Sequence, residues 1–202
     1  MKQLSESELH RIVEMVVQRK LRAPLEVESP LVADYSPGGF KQESVSMPGA
    51  ERTVAVASDH GGFAMKEMLK SFLADQGYAT IDCGTNNGKT SVDYPDFAFV
   101  AALLLNEGKV WRAIVVDGAG IGSCMAANKV PGVRAAMCYD YATAVNSREH
   151  NDANLLTLGA GLIGDNLAKQ IVSTWLTTDF GGGRHQKRID KICAIEDRFR
   201  KG

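Results

Sequence analysis

The sequence predicts a three-layer α/β/α domain built on a five-stranded parallel sheet and preceded by an amphipathic helix and a linker. Three observations carry this expectation. From Thr53 onward, short apolar segments alternate with segments of helical period. The spacing of the alternation is that of strand–helix–strand units, which join strands in parallel and lay helices on both faces of the sheet. Ahead of this region, four of the six prolines (Pro24, Pro30, Pro37, Pro48) and the pair Gly38-Gly39 fall within residues 23–51 and set apart whatever precedes them.

Taken in order, residues 1–22 read as a helix. Leu9, Ile12, Val13, Val16 and Val17 lie on one face, Glu8, Arg11, Glu14 and Gln18 lie on the other, and Ser5 with Glu8 forms a capping-box pattern. Residues 23–52 read as the linker and 53–202 as the folded domain. Within that domain TVAVAS (53–58) is a strand and 63–76 a helix. ATIDC (79–83) is a second strand, followed by a helix over 96–107. AIVVD (113–117) is a third strand and 122–129 a helix. VRAAMC (133–138) is a fourth strand and 141–149 a helix. NLLTLG (154–159) is a fifth strand, 165–177 a helix, and a last basic helix begins after Gly181-Gly182-Gly183. The whole is Rossmann-like, and ligands of such sheets bind at the carboxyl ends of the strands.

Composition narrows the function classes. The chain has 202 residues, 45% apolar and 23% charged, which suits one folded domain with an appendage and excludes a collagen-like or wholly disordered chain. Twenty-three basic residues against 24 acidic ones leave a net charge of −1, so a nucleic-acid coat or a basic membrane-surface protein is not expected. The four cysteines form no C-x-x-C pair, which argues against a disulfide framework or zinc finger and for the reduced cytoplasm. No run approaches the roughly 18 apolar residues of a membrane span. Charges stand where a signal peptide would have its apolar core.

Candidate chemistry gathers at element boundaries. DGAGIGS (117–123) follows an apolar strand and precedes a helix, and its glycines leave amide N–H groups facing an anion or a developing oxyanion. Asp117, at its mouth, reads equally as a base and as a carboxylate that caps the next helix. SDHGG (58–62) brings Asp59 and His60 to the end of the first strand. REHNDAN (148–154) brings His150 and Asn151 to the boundary before the fifth, where the alternative is a simple turn. In GGGRHQKR (181–188), Arg184 and Arg188 are four residues apart, a spacing that on a helix shares one face and grips a phosphate. Cys124, in the first turn after the glycine loop, is a further candidate nucleophile or base because a helix N-terminus lowers a thiol's pKa.

SDHGG, G-x-G-x-G before AANK (126–129), REHNDAN and GGRHQKR, in that order and at that spacing, resemble the ribose-5-phosphate isomerase B family, which includes the galactose-6-phosphate isomerase subunits. The resemblance covers residues 53–200. It implies an aldose–ketose isomerase of a sugar phosphate, ribose 5-phosphate and ribulose 5-phosphate first, with neither metal nor other cofactor. By the same resemblance His150 helps open the sugar ring and a base removes the C2 proton. The amides of Gly118, Ala119, Gly120, Ile121 and Gly122 then hold the enediolate. His60, Arg184 and Arg188 bind phosphate and substrate, and Asp59 and Asn151 hold hydroxyls. It further implies a dimer or tetramer with sites shared between subunits.

This chain departs from the family pattern in named places. Asp117 stands where many members have a cysteine base, Ser123 where others have a glutamate, Ala119 where a hydroxyl residue is common, and Gly161 where many have an arginine. Asp117 and the stretch Gly122-Ser123-Cys124-Met125 are closer to one galactose-6-phosphate isomerase subunit. The expected base is Asp117, a carboxylate in the thiolate's place, whose basicity partial burial would increase. Three other functions stay open: an isomerase of another aldose phosphate such as a hexose 6-phosphate, a binding member that has lost its base, and a nicotinamide-dependent oxidoreductase with Asp140 as its ribose acid. Residues 1–22 resemble the helices that direct enzymes into bacterial microcompartments, where the partner would be shell or cargo protein. The alternative for them is an oligomerisation or domain-capping helix.

Overall fold

The computed structural model describes residues 53–200, so the expected helix over 1–22 and linker over 23–52 lie outside the described residues. The described elements alternate as expected: β1 (Thr53–Ser58), α1 (Phe63–Asp75), β2 (Ala79–Asp82), α2 (Tyr94–Asn106), β3 (Arg112–Asp117), α3 (Ile121–Ala127), β4 (Ala135–Met137), α4 (Tyr141–Glu149), β5 (Leu155–Gly159), α5 (Asp165–Thr177) and α6 (Gln186–Arg200). All pairings are parallel and the strand order is β2-β1-β3-β5-β4.

The periodicities explain which strands are central. Val54–Ala57, Ala113–Val116, Leu155, Leu156 and Leu158 are continuously apolar and fully or almost fully buried. That is the pattern of strands covered by helices on both faces. β2 and β4, at the edges, are only partly buried. The helices close the core with Leu69, Leu73, Ala168, Ile171, Val172 and Trp175. α2 starts two residues earlier than its periodicity suggests, because Pro95 occupies the first turn, where a missing N–H costs nothing.

The order of the strands positions the site. β1 connects outward to β2, and the chain then returns to β3 on the other side of β1. The two connections leave in opposite directions and open a crevice at the carboxyl ends of β1 and β3. Ser58 is level with Val116 across that pairing, so the segments after Ser58 and after Asp117 face each other over the crevice.

Candidate active site

The β3–α3 loop is shaped by its own first residue. One oxygen of the Asp117 carboxylate accepts from the backbone N–H of Ala119 (2.8 Å) and of Gly120. The other accepts from Ser123 N–H (3.1 Å) and Ser123 Oγ (2.5 Å). Gly120 takes the left-handed conformation, φ +78°, that lets the chain turn back over the carboxylate. Asp117, only 4% exposed, therefore performs the capping role that its sequence position left open beside the base role. Ser123, absent from the sequence-derived candidates, is its partner. The amides of Gly118, Ile121 and Gly122 are left for a ligand. A Cβ at Gly122 would meet the Tyr94 ring at 2.4 Å, so Tyr94 is a wall of this crevice that periodicity did not reveal.

Across the crevice, Asp59 accepts from Gly62 N–H through Oδ1 (2.9 Å) and has no partner for Oδ2 among the described residues. A Cβ at Gly61 would lie 3.4 Å from Asp59 Oδ1 and 3.8 Å from Gly118 N, which puts Asp59 beside the glycine loop. His60 Nδ1 accepts from Val92 N–H (3.2 Å), an arrangement that places the ring proton on Nε2. Asp59, His60, Asp117 and the loop Gly118–Gly122 thus form one cluster.

His150 and Asn151 do not join it. His150 is the C-cap of α4, and both residues precede β5 at the amino end of the sheet, where Ala113 N–H donates to Asn154 O. The length of β3, about 16 Å for its six residues, separates them from the glycine loop. The two histidines read from the sequence at element boundaries thus lie at opposite edges of the sheet, because α4 carries the chain from one edge to the other. The Gly181–Gly183 turn comes to this second place. Gly181 N–H donates to Glu149 O (2.9 Å), and the His185 ring stacks on the His150 ring with centroids 4.2 Å apart and planes 6° apart. Arg184 and Arg188 flank it, both exposed. Arg184 lies in the turn before α6, so the shared helical face expected of the pair is corrected.

The turn carrying His150 is braced by ion pairs. Asp152, at φ +44°, bonds Arg134 Nη2 at 2.9 Å and Arg148 Nη1 at 2.8 Å. Its carbonyl accepts from Arg134 Nε (3.0 Å). Asn146 Nδ2 lies 2.8 Å from His150 Nδ1, and Asn151 Nδ2 donates to Asn146 O and Oδ1. Asn146 and His185 are both residues that sequence reasoning missed; their signal was only their presence beside the HND and GGRH stretches.

Two expectations weaken. Burial pushes the Cys124 thiol up, outweighing hydrogen bonds, so the helix terminus does not activate it. Asp140 is the N-cap of α4 in a reciprocal capping box with Thr143, which commits the acid that a ribose-binding reading needs. Hydrogen bonds from Thr143 hold the Asp140 carboxyl below its usual value. Among the described residues no group of three or more His, Cys, Asp or Glu side chains converges as a metal requires, and no helix is long and apolar enough to cross a membrane.

A parallel sheet with an oxyanion-type loop and an Asp-His pair at its switch point defines a class of small-ligand α/β proteins, and comparison specifies it. The chain belongs to the Ribose/Galactose Isomerase family, whose family model matches residues 54–192. It is 41% identical over 147 residues to ribose-5-phosphate isomerase B of Escherichia coli, covering 73% of this chain and 98% of the relative. The structure of ribose-5-phosphate isomerase B from Clostridium thermocellum superposes with a TM-score of 0.71 at 48% identity, covering 73% of this chain and 99% of that one. The enzyme from Mycoplasma genitalium, solved with bound ribulose-5-phosphate, gives 0.69 at 39% identity over 72% and 96% of the two chains.

Proposed function

We propose that the chain is an aldose–ketose isomerase that interconverts ribose 5-phosphate and ribulose 5-phosphate through an enediolate. The observation that carries this is the crevice between β1 and β3, where the glycine loop that begins at Gly118 lies beside the Asp59-His60 segment in a member of this isomerase family. Amides aimed at the position of a developing oxyanion stabilise it without reorganisation.

Asp117 is the proposed base. Both its oxygens already carry donors, so proton abstraction requires the Ser123 hydroxyl to rotate away and free Oδ2. A second reading has its own support: Asp59, at the same mouth, keeps Oδ2 unengaged among the described residues. The half-site of His150, Asn151, Arg184 and Arg188 lies at the opposite edge of the same sheet. We therefore propose a homo-oligomer in which one subunit's glycine loop meets the other's His150 half-site. Dimer and tetramer both satisfy this.

Incubation with ribose 5-phosphate in D₂O, followed by NMR, tests the assignment. The C2 proton signal should disappear as ribulose 5-phosphate forms. Binding without exchange would make the chain a non-catalytic member. Exchange confined to hexose 6-phosphates would move the substrate class. Full activity in Asp117→Asn together with loss in Asp59→Asn would transfer the base role to Asp59. For residues 1–22 we propose encapsulation of a cytoplasmic enzyme within a microcompartment, supported by their apolar periodicity and the linker after them. Deleting them should abolish co-sedimentation with shells and leave turnover unchanged; retained co-sedimentation would sink the idea.

A further inference from the structure

We propose that Asn146 and His185 clamp the His150 imidazole as a neutral ring with its proton on Nε2, Asn146 holding the edge and His185 the face. The inference rests on the reading of His150 as the group that assists ring opening. It assigns two positioning residues and the protonation state in which His150 works.

The backbone carbonyl of Asn146 can only accept, and it lies 3.2 Å from Asn151 Nδ2, so that end of the Asn151 amide is the nitrogen. The same nitrogen is 3.3 Å from the Asn146 side-chain amide, which must therefore present its oxygen there. Its other end, the NH₂, is then turned to His150 Nδ1 at 2.8 Å. A donor at that distance requires a lone pair on Nδ1, and a neutral imidazole with bare Nδ1 carries its proton on Nε2. An imidazolium would set N–H against N–H.

The ring plane is held by His185. Gly182 and Gly183, at φ +59° and +55°, fold the turn so that His185 N–H reaches Gly182 O (3.0 Å) and the ring lies parallel to His150. Among the described residues His185 Nδ1 is buried without a partner, and Arg184 Nε makes a long contact of 3.5 Å to His185 Nε2. A partnerless buried nitrogen does nothing for stability, so the ring's use is its flat face. Burial first, and the Arg184 and Arg188 guanidiniums after it, push its pKa down, which favours an uncharged platform.

His150 Nε2 lies 3.9 Å from Glu149 Oε1, beyond hydrogen-bond range, and has no hydrogen-bond partner among the described residues. Its N–H is therefore available to a sugar. In ring opening the C1–O bond to the ring oxygen breaks and C1 becomes an aldehyde. The C1 hydroxyl yields its proton to water, and the ring oxygen takes one from water. The Nε2–H stabilises that oxygen by a hydrogen bond while His150 itself stays neutral.

The test reads the tautomer directly, by ¹⁵N NMR of histidine-labelled full-length protein at pH 7.5. Wild type should show His150 protonated at Nε2 and bare at Nδ1. Asn146→Asp should move a proton onto Nδ1. His185→Ala should give a mixture of tautomers, and His185→Phe should restore the wild-type pattern. Turnover of ribose 5-phosphate by Asn146→Asp should fall about tenfold or more in kcat with KM nearly constant. Solvent exchange at C1 of ribulose 5-phosphate should persist, because a ketopentose esterified at O5 has no furanose ring to open. An Nδ1–H or imidazolium form in wild type would overturn the clamp, as would parallel loss of turnover and exchange. Ribose 5-phosphate turnover surviving in His150→Asn would instead overturn the role of His150, while the NMR result would still decide the clamp.

Discussion

Asp117 shows how one residue can satisfy two sequence readings: the capping role is visible in its hydrogen bonds, and the proposed base role requires Ser123 to release one oxygen. Its carboxylate organises the loop by accepting from two amides near its own position and from Ser123 twice. In Asp117→Asn a buried NH₂ would face N–H donors. Charge-assisted hydrogen bonds contribute about 2 kcal/mol each, and the loss should be at least that large in urea unfolding. Ser123→Ala removes one donor and keeps the three amides bound, so it should lose about 1–2 kcal/mol. If Asp117→Asn unfolded at the wild-type midpoint, the carboxylate would not be what shapes the loop. The sequence identified Asp117 and the glycines because both lie within one short stretch. It did not identify Ser123, Tyr94 or Asn146, because serines, tyrosines and asparagines are common and only their contacts distinguish them.

At the scale of the element, α4 matters most, because it begins at the carboxyl edge of the sheet and delivers His150 to the other. Its start is secured by the Asp140–Thr143 capping box and its end by Arg148 and Arg134 on Asp152. The helix start carries a pH signature. Asp140 has its folded pKa depressed below the ordinary 3.8, with hydrogen bonds from Thr143 as the cause. Its stabilising contribution is therefore complete above that unfolded value and is lost as pH falls through the lower folded value. The difference in melting temperature between wild type and Asp140→Ala should be constant from pH 7 to pH 5 and shrink below about pH 4. A difference independent of pH would mean the aspartate acts by geometry and not by charge. Element boundaries were legible to within about two residues for most elements, although α2 begins two residues before its periodicity and α6 begins at Gln186, beyond the triple glycine. The crossing of α4 from edge to edge was not legible, since periodicity reports which face of a helix is buried and not which end of the sheet it reaches.

For the whole molecule, the two clusters lie at opposite edges of the sheet, and the proposal that they are halves of one site requires a second copy of the domain. The proposed shared site predicts complementation. His60→Ala disables the glycine-loop half and His150→Asn the other. Each should be inactive alone. Co-expressed at equal levels and assembled at random into dimers, they should recover about a quarter of wild-type turnover, because half the dimers are mixed and each mixed dimer has one intact site of two. No recovery would place each site within one subunit. The expected relation of Arg184 and Arg188 to a neighbour's phosphate belongs to the same test, since both flank the His150 stack.

The sequence by itself determined the order and type of the described elements, the buried strands and the residues to inspect. Those follow from local properties: apolar period, turn chemistry and short motifs, each set within about ten residues of chain. Only the tertiary structure decided that Asp117 braces its own loop, that Asn146 and His185 stand against His150, and that the candidate residues divide between opposite edges of the sheet. Those facts depend on contacts between segments far apart in the chain, and on the direction in which each crossover returns. A one-dimensional pattern does not encode either until the core has packed.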